Sequence, residues 1–126
     1  MEINPWSKLV DTPDDRIWRG ALLRLPGKPH YEEVVDFLII EYDGGLALLV
    51  ASGYKAGIVR QIMPAAAFDS SGARALSRRW LVENWSQWIG LGDPTDIWIR
   101  RDPPVPDSLP DEIDECTQGR GDQAPA

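Results

Sequence analysis

Two apolar runs joined by Asp43-Gly44-Gly45 constrain the fold of this chain more than any other feature. Residues 33–42 (EVVDFLIIEY) are rich in β-branched and aromatic side chains, and residues 46–52 (LALLVAS) follow directly after the glycines. Asp-Gly supplies the positive-φ positions of a tight hairpin turn, so the two runs are predicted to pair as antiparallel strands. Both alternating sets of side chains in the first run are largely apolar, which predicts a central strand covered on both faces.

Three further short runs are typical of strands. Residues 16–25 form the first, residues 58–63 follow a turn at 53–57 and end at Pro64, and residues 96–101 form the last. Short connections between consecutive strands favour an antiparallel meander, and one helix precedes the last strand. The predicted fold class is therefore α+β, a meander of about five strands with a Trp-rich helix packed on it in the order β-β-β-β-α-β.

The helix is predicted from residues 76–89 (LSRRWLVENWSQWI), which contain three of the six tryptophans. Ser77 is a suitable N-cap, and no residue after it breaks a helix before the glycines that follow. On a helical wheel Trp85 and Trp88 fall on the apolar side, which predicts that both pack in the core. Trp80 falls on the polar side, so it either lies under a loop or terminal arm or anchors a partner.

The net charge of −7 is concentrated at the end of the chain, because seven acids and one base follow residue 101. The nearly neutral remainder has no basic face of the kind that nucleic-acid binding requires. Residues 1–15 are predicted to form a loosely attached N-terminal arm and residues 16–101 the folded domain. Residues 102–126 form a Pro-rich acidic tail that is predicted to be disordered. That tail either touches nothing or takes part in binding.

The compartment is indicated by what the composition lacks. A chain of 126 residues is long enough for one domain without disulfides, and its single Cys116 favours a reducing compartment. Residues 1–10 do not have the pattern of a signal peptide. The apolar run 46–51 is far shorter than the roughly 20 residues that a membrane span needs. We therefore expect a cytoplasmic protein.

Residues for catalysis are scarce in this sequence. His30 is the only histidine, and Cys116 lies in the acidic tail, where its thiol would be a poor nucleophile. Neither glycine-rich turn has the Gly-Lys-Ser/Thr pattern of a phosphate loop. We therefore predict no catalytic, cofactor or metal site and no enzymatic activity. The remaining catalytic alternative is a carboxylate pair drawn from Asp36, Glu41 and Asp43.

Several motifs taken together resemble the immunity protein 45 family of bacterial polymorphic toxin systems. They include Gly-Tyr-Lys-Ala-Gly at 53–57, a strand that ends in Met-Pro at 63–64, and Trp-Leu-x-x-Asn-Trp-x-x-Trp at 80–88. The runs RGALLRLP (19–26) and VVDFLIIE (34–41) also fit the opening strands of the family. The combination is fairly specific, whereas each motif alone would be weak.

The resemblance spans residues 16–101 and implies a small cytoplasmic α+β protein that acts in competition between bacteria. Such a protein binds a cognate toxin stoichiometrically and blocks its active site or its substrate path. If the toxin is of the nuclease type, its cleft is expected to be basic, and an acidic partner would associate with it fast. The alternative is a small adaptor module that binds a peptide or another subunit through an aromatic groove. A neighbouring toxin gene favours immunity.

The residues predicted to bind the partner are exposed aromatic side chains and acids of the segment 30–53, which contains no Lys or Arg. They are Glu32, Glu33, Asp36, Asp43, Tyr54 and Trp80. The sequence specifies neither the oligomeric state nor the chemistry of the toxin.

Overall fold

In the computed structural model, which describes residues 4–111, one α-helix packs on a six-stranded antiparallel sheet. The strands are β1 (Ser7–Lys8), β2 (Arg16–Ile17), β3 (Leu22–Pro26), β4 (Val34–Tyr42), β5 (Gly45–Val50), β6 (Val59–Ile62), β7 (Leu76–Ser77) and β8 (Trp98–Arg100). The helix α1 spans Arg78–Trp88, and short 3-10 helices span Leu9–Asp11, Ala65–Ala67 and Pro94–Asp96. The sheet order is β1-β8-β3-β4-β5-β6, and β2 pairs with β7 separately. The predicted α+β class is confirmed.

The β4–β5 hairpin forms at the predicted place. Asp43 has a φ of 52° and Gly44 a φ of 81°, so both turn residues occupy the positive-φ region that a primed turn requires. The register places Phe37 opposite Val50 and Ile39 opposite Leu48. The turn therefore fixes which side chains of the two strands share a face.

Only one face of β4 is covered, although the strand lies in the middle of the sheet. Val35, Phe37 and Ile39 are fully buried, whereas Val34 on the other face is 56% exposed. The prediction of a strand covered on both faces is therefore wrong, because the described residues form a single α-helix and it packs on one side. We call the uncovered side the open face. Its apolar side chains shield one another across strands and are Leu22, Val34, Leu38, Ile40, Leu49, Val59, Ile62 and Trp98.

Residues 7–15 belong to the folded body, so a loosely attached arm is the wrong description of them. β1 pairs with β8, and Leu9 is fully buried in the core. The Arg101 guanidinium secures the next segment by donating to Thr12 Oγ1 at 3.1 Å and to the Arg16 carbonyl at 2.6 Å. Leu9 and Arg101 therefore hold residues 7–15 on the folded body, although the composition of this segment is mostly polar.

The strand predicted over residues 16–25 is divided into β2 and β3. A turn separates them, in which the Ala21 amide donates to the Trp18 carbonyl at 3.3 Å and Gly20 has a φ of 92°. β2 pairs with β7, whereas β3 joins the main sheet between β8 and β4. The glycine allows the chain to leave one sheet and enter the other.

The helix begins and ends as predicted. Ser77 Oγ accepts a hydrogen bond from the Trp80 amide at 3.2 Å, which is the expected N-cap. Gly90, two residues after the helix, has a φ of 69°, a conformation that favours glycine.

The tryptophans of α1 differ from the prediction in one respect. Trp85 is fully buried, and its Nε1 donates to the Leu91 carbonyl at 2.7 Å, so its core position is confirmed. Trp88 is 36% exposed, so the core prediction is wrong for this residue. It lies in the last turn, where the wheel gives the direction of a side chain but not the extent of the sheet beneath it. Trp80 is half-buried against the core, with its ring 5.8 Å from that of Trp88.

The end of the described chain has no regular structure. Residues 102–111 are exposed and contain no helix or strand. The remainder of the predicted tail, residues 112–126 with Cys116, and residues 1–3 of the predicted arm lie outside the described residues.

Candidate partner-binding surface

Four of the six predicted partner-binding residues lie at one end of the sheet. Glu32 and Glu33 immediately precede β4, and Asp36 lies on the open face near the start of that strand. Tyr54 joins them because the chain returns along β5 and turns at 53–57, beside Glu32. The hairpin topology thus brings together residues that are about twenty positions apart in the sequence.

The other two predicted residues lie elsewhere. Asp43 occupies the hairpin turn at the far end of β4, and the nine residues of that strand span roughly 30 Å. Trp80 lies on the helix side of the sheet, where it lines a shallow surface depression with Asp15 and Phe68. These two side chains do not belong to the surface that contains Tyr54.

Glu32 and the loop 53–57 make a tight contact, and we call residues 32, 33 and 53–57 the Glu32–Tyr54 corner. The Tyr54 amide donates to Glu32 Oε2 at 3.0 Å. This bond stabilises the carboxylate and holds the pKa of Glu32 below its ordinary value. Gly53 has a φ of 73°, and a Cβ at this position would collide with the Glu32 carboxylate. The backbone conformation at position 53 therefore favours glycine, and a side chain there would make the Glu32 carboxylate shift.

The base of the corner is connected to the core. The Gly27 amide donates to the Glu33 carbonyl at 2.8 Å, which closes the connection between β3 and β4. The Lys55 ammonium lies 5.0 Å from the centre of the Tyr31 ring. That ring in turn meets Phe37 edge-on, with 6.3 Å between the ring centroids. The loop 53–57 is thereby linked through two aromatic rings to the buried face of the sheet.

Tyr54 extends from this corner into solvent. Its side chain is 89% exposed, more than any other large apolar side chain among residues 4–111. Its backbone amide is bonded to Glu32, so the ring is carried by a main chain that this bond tethers. Exposed tyrosines on ordered loops are suited to recognition, because they offer a large contact area with few rotatable bonds.

Asp36 has an internal partner and is largely withdrawn from solvent. Its carboxylate forms a two-pronged ion pair with Arg24, at 2.7 and 2.8 Å, and its side chain is only 15% exposed. The paired carboxylate raises the pKa of the Arg24 guanidinium, which also stacks 4.4 Å from the centre of the Trp6 ring. Asp36 therefore offers a partner little free negative charge.

The open face carries a row of charged and aromatic side chains that the sequence did not predict. Lys8, Trp98, Arg24 and Asp36 stand opposite one another on four neighbouring strands. The Lys8 ammonium lies 4.9 Å from the centre of the Trp98 ring. The alternation Trp98-Ile99-Arg100 signals that the tryptophan faces away from the buried isoleucine, but it does not indicate which strands lie beside it.

The described residues contain no group of three or more His, Cys, Asp or Glu that could hold a metal ion. His30 is exposed in the connection that precedes β4. No helix within residues 4–111 has the length and apolar character needed to cross a membrane. The features that distinguish the described surface are the Glu32–Tyr54 corner and the open face.

Comparison with known families gives one match. The family model described as immunity protein 45 matches residues 9–97, which is more than half of the chain. Comparisons with curated proteins and with solved structures found no match.

Proposed function

The chain belongs to the immunity protein 45 family, and on that premise we propose that it binds a cognate bacterial toxin and neutralises it by stoichiometric occlusion. Membership of the family indicates an immunity function, with a toxin as the partner in general and a role without catalysis. The proposal adds that protection takes place in the cytoplasm, that it needs no cofactor, and that the toxin is part of a polymorphic toxin system.

The observation that carries the proposed contact surface is the exposure of Tyr54 on a loop that Glu32 fixes. We propose that the toxin contacts the Glu32–Tyr54 corner, with Tyr54 as the anchor and Glu33 beside it. Aromatic side chains are enriched among the residues that contribute most to binding, and they act from the centre of an interface. Asp36 borders this surface, but its charge is neutralised by Arg24.

The size of a tight interface limits which residues one toxin can reach. Nearly complete silencing requires a dissociation constant in the nanomolar range, or about −12 kcal/mol. Interfaces of that strength bury about 800 Å² on each partner, a patch roughly 30 Å across. A toxin centred on Tyr54 therefore does not reach Asp43. A contact with both residues would have to be centred on the open face, and Trp80 would still lie on the opposite side.

The proposed function is tested by co-expression with the toxin encoded beside this chain. We expect growth rescue from that toxin and not from unrelated toxins, and a complex that purifies at a fixed ratio. Tyr54→Ala should weaken rescue at limiting expression. The matched control is Tyr42→Ala, because Tyr42 is exposed at the far end of β4. Absence of rescue, together with a stable complex with some other protein, would favour the adaptor alternative.

A further inference from the structure

The loop 53–57 is shaped by main-chain hydrogen bonds, within itself and to β5, and by one hydrogen bond to a side chain. Within it, the Ala56 amide donates to the Gly53 carbonyl at 3.1 Å, and at its end the Gly57 amide donates to the carbonyl of Val50, the last residue of β5, at 2.7 Å. The Tyr54 amide instead donates to Glu32 Oε2, a side chain that precedes β4. The residue at the tip is therefore held by a carboxylate from a different connection.

We propose that residues 53–57 are a pre-formed binding loop in which Glu32 is a positioning residue and Tyr54 the anchor that enters a concave site on the toxin. This inference rests on the proposed function. It assigns Glu32 a role that differs from a charged contact, because its carboxylate is directed at the chain's own backbone. Glu33 is then the acid of this corner that is available to a basic partner.

The physical advantage of this arrangement is entropic. A flexible loop must be ordered when it binds, and that ordering reduces affinity, whereas a loop held in its bound shape avoids much of the loss. The bond between Glu32 and the Tyr54 amide depends on glycine at position 53, because a side chain there would displace the carboxylate. Lys55, stacked on Tyr31, holds the far side of the same loop.

The exposure of Tyr54 indicates the shape of the partner's site. A ring that is 89% exposed can be desolvated only if a partner surrounds it on several sides. The complementary surface is therefore a pocket with apolar walls and a hydrogen-bonding group for the phenolic hydroxyl. A flat or convex partner surface would leave most of the ring in water.

Two substitutions of Glu32 separate positioning from charge. Glu32→Gln removes the charge but keeps an amide oxygen that can accept from the Tyr54 amide, whereas Glu32→Ala removes both. The probe is the catalytically inactivated toxin domain from the neighbouring gene, titrated against the full chain. We expect Tyr54→Ala to raise Kd by about 30-fold or more and Glu32→Ala by about tenfold. Glu32→Gln should change Kd by no more than about threefold, because the bond is retained.

A double-mutant cycle then tests whether Glu32 acts through Tyr54. If it does, Glu32→Ala adds no loss in a chain that already carries Tyr54→Ala. Independent losses that multiply would overturn the proposal, as would equal damage from Glu32→Gln and Glu32→Ala. Thermal melting of each free variant, with Tyr42→Ala as the surface control, checks that the fold is retained.

A measurement without toxin distinguishes this inference from the proposed function. Exchange of the Tyr54 amide hydrogen in the free protein should be slow in the wild type and in Glu32→Gln but fast in Glu32→Ala. Unchanged exchange in Glu32→Ala would overturn the positioning role. If the wild type fails to bind the toxin domain, the proposed function itself fails. If the wild type binds and Tyr54→Ala binds equally well, only the anchor role fails.

Discussion

Trp85 and Trp88 lie about one turn apart on α1 but in different surroundings. Trp85 is enclosed, meets Phe37 at 6.3 Å between ring centroids, and has its indole N–H bonded to the Leu91 carbonyl. Trp88 leaves about a third of its side chain in solvent and touches the half-buried ring of Trp80. The contribution of each ring to stability should therefore follow its burial and not its angle on the helix.

We predict that Trp85→Ala lowers the free energy of unfolding by about 3–5 kcal/mol, because it empties a closed site and leaves a buried carbonyl without its donor. Trp80→Ala and Trp88→Ala should each lower it by less than about 2 kcal/mol, since water can occupy part of the space. Urea melts of the three variants measure the order. A loss from Trp88→Ala equal to that from Trp85→Ala would show that the last turn of α1 is enclosed in solution.

At the candidate site, too, the sequence indicates the type of each side chain but not its tertiary contacts. The sequence alone indicates Tyr54 as an exposed aromatic residue and Glu32 as an acid in a segment without Lys or Arg. It does not indicate the hydrogen bond between them, because that bond depends on the return of β5 beside β4. The pairing of Asp36 with Arg24 depends in the same way on the register of β3 and β4. Residue type indicates what a side chain can do, whereas tertiary contacts determine whether it is free to do it.

At the scale of elements, strong local sequence signals are sufficient to predict a strand, a turn or a helix start, whereas weak ones are not. The Asp-Gly turn, the apolar run of β4 and the Ser77 cap each specify their structure within a few residues, so they were predicted correctly. β1, β2 and β7 have two residues each, too few for any period to show. Their pairing is enforced by distant partners, as β1 shows by lying against β8.

The two ends of the described chain should respond differently to truncation. Deletion of residues 1–10 removes β1 and the buried Leu9, so we expect the melting temperature to fall by more than about 10 °C. Deletion of residues 106–126 should leave it within about 2 °C, because residues 106–111 are exposed and contain no helix or strand. Calorimetry measures the melting temperature of both variants, and each truncation is the control for the other. A large drop for the second deletion would mean that the tail packs on the body.

At the scale of the whole molecule, the charge pattern bears on how a partner approaches. The net charge of −7 arises largely beyond residue 101, whereas Glu33 is exposed and belongs to the proposed contact surface. Within residues 4–111, no ion pair engages the Glu33 carboxylate. The effect of the tail's charge on a basic partner can therefore be distinguished from the effect of Glu33 by substituting one acid at a time.

If the toxin has a basic face, Glu33→Lys should slow association about 3- to 10-fold at low salt, and the difference should shrink as salt screens the charges. Asp107→Lys is the matched control, since it changes the net charge equally at an exposed position near the end of the described chain. Association rates are measured by stopped-flow mixing at several salt concentrations. Equal slowing by both variants would show that overall charge, and not this corner, steers the encounter.

The closeness of Gly53 to Glu32 has a consequence for how such a protein evolves. The residues that hold the loop are distinct from the side chain that the loop presents. A substitution at position 54 changes the presented side chain while Glu32 still binds the main-chain amide, so the loop keeps its shape. If Tyr54 is the anchor, recognition of a different toxin can therefore begin with one codon change at position 54. A change at position 53, by contrast, would disturb the bond that holds the loop, because a side chain there would displace the Glu32 carboxylate.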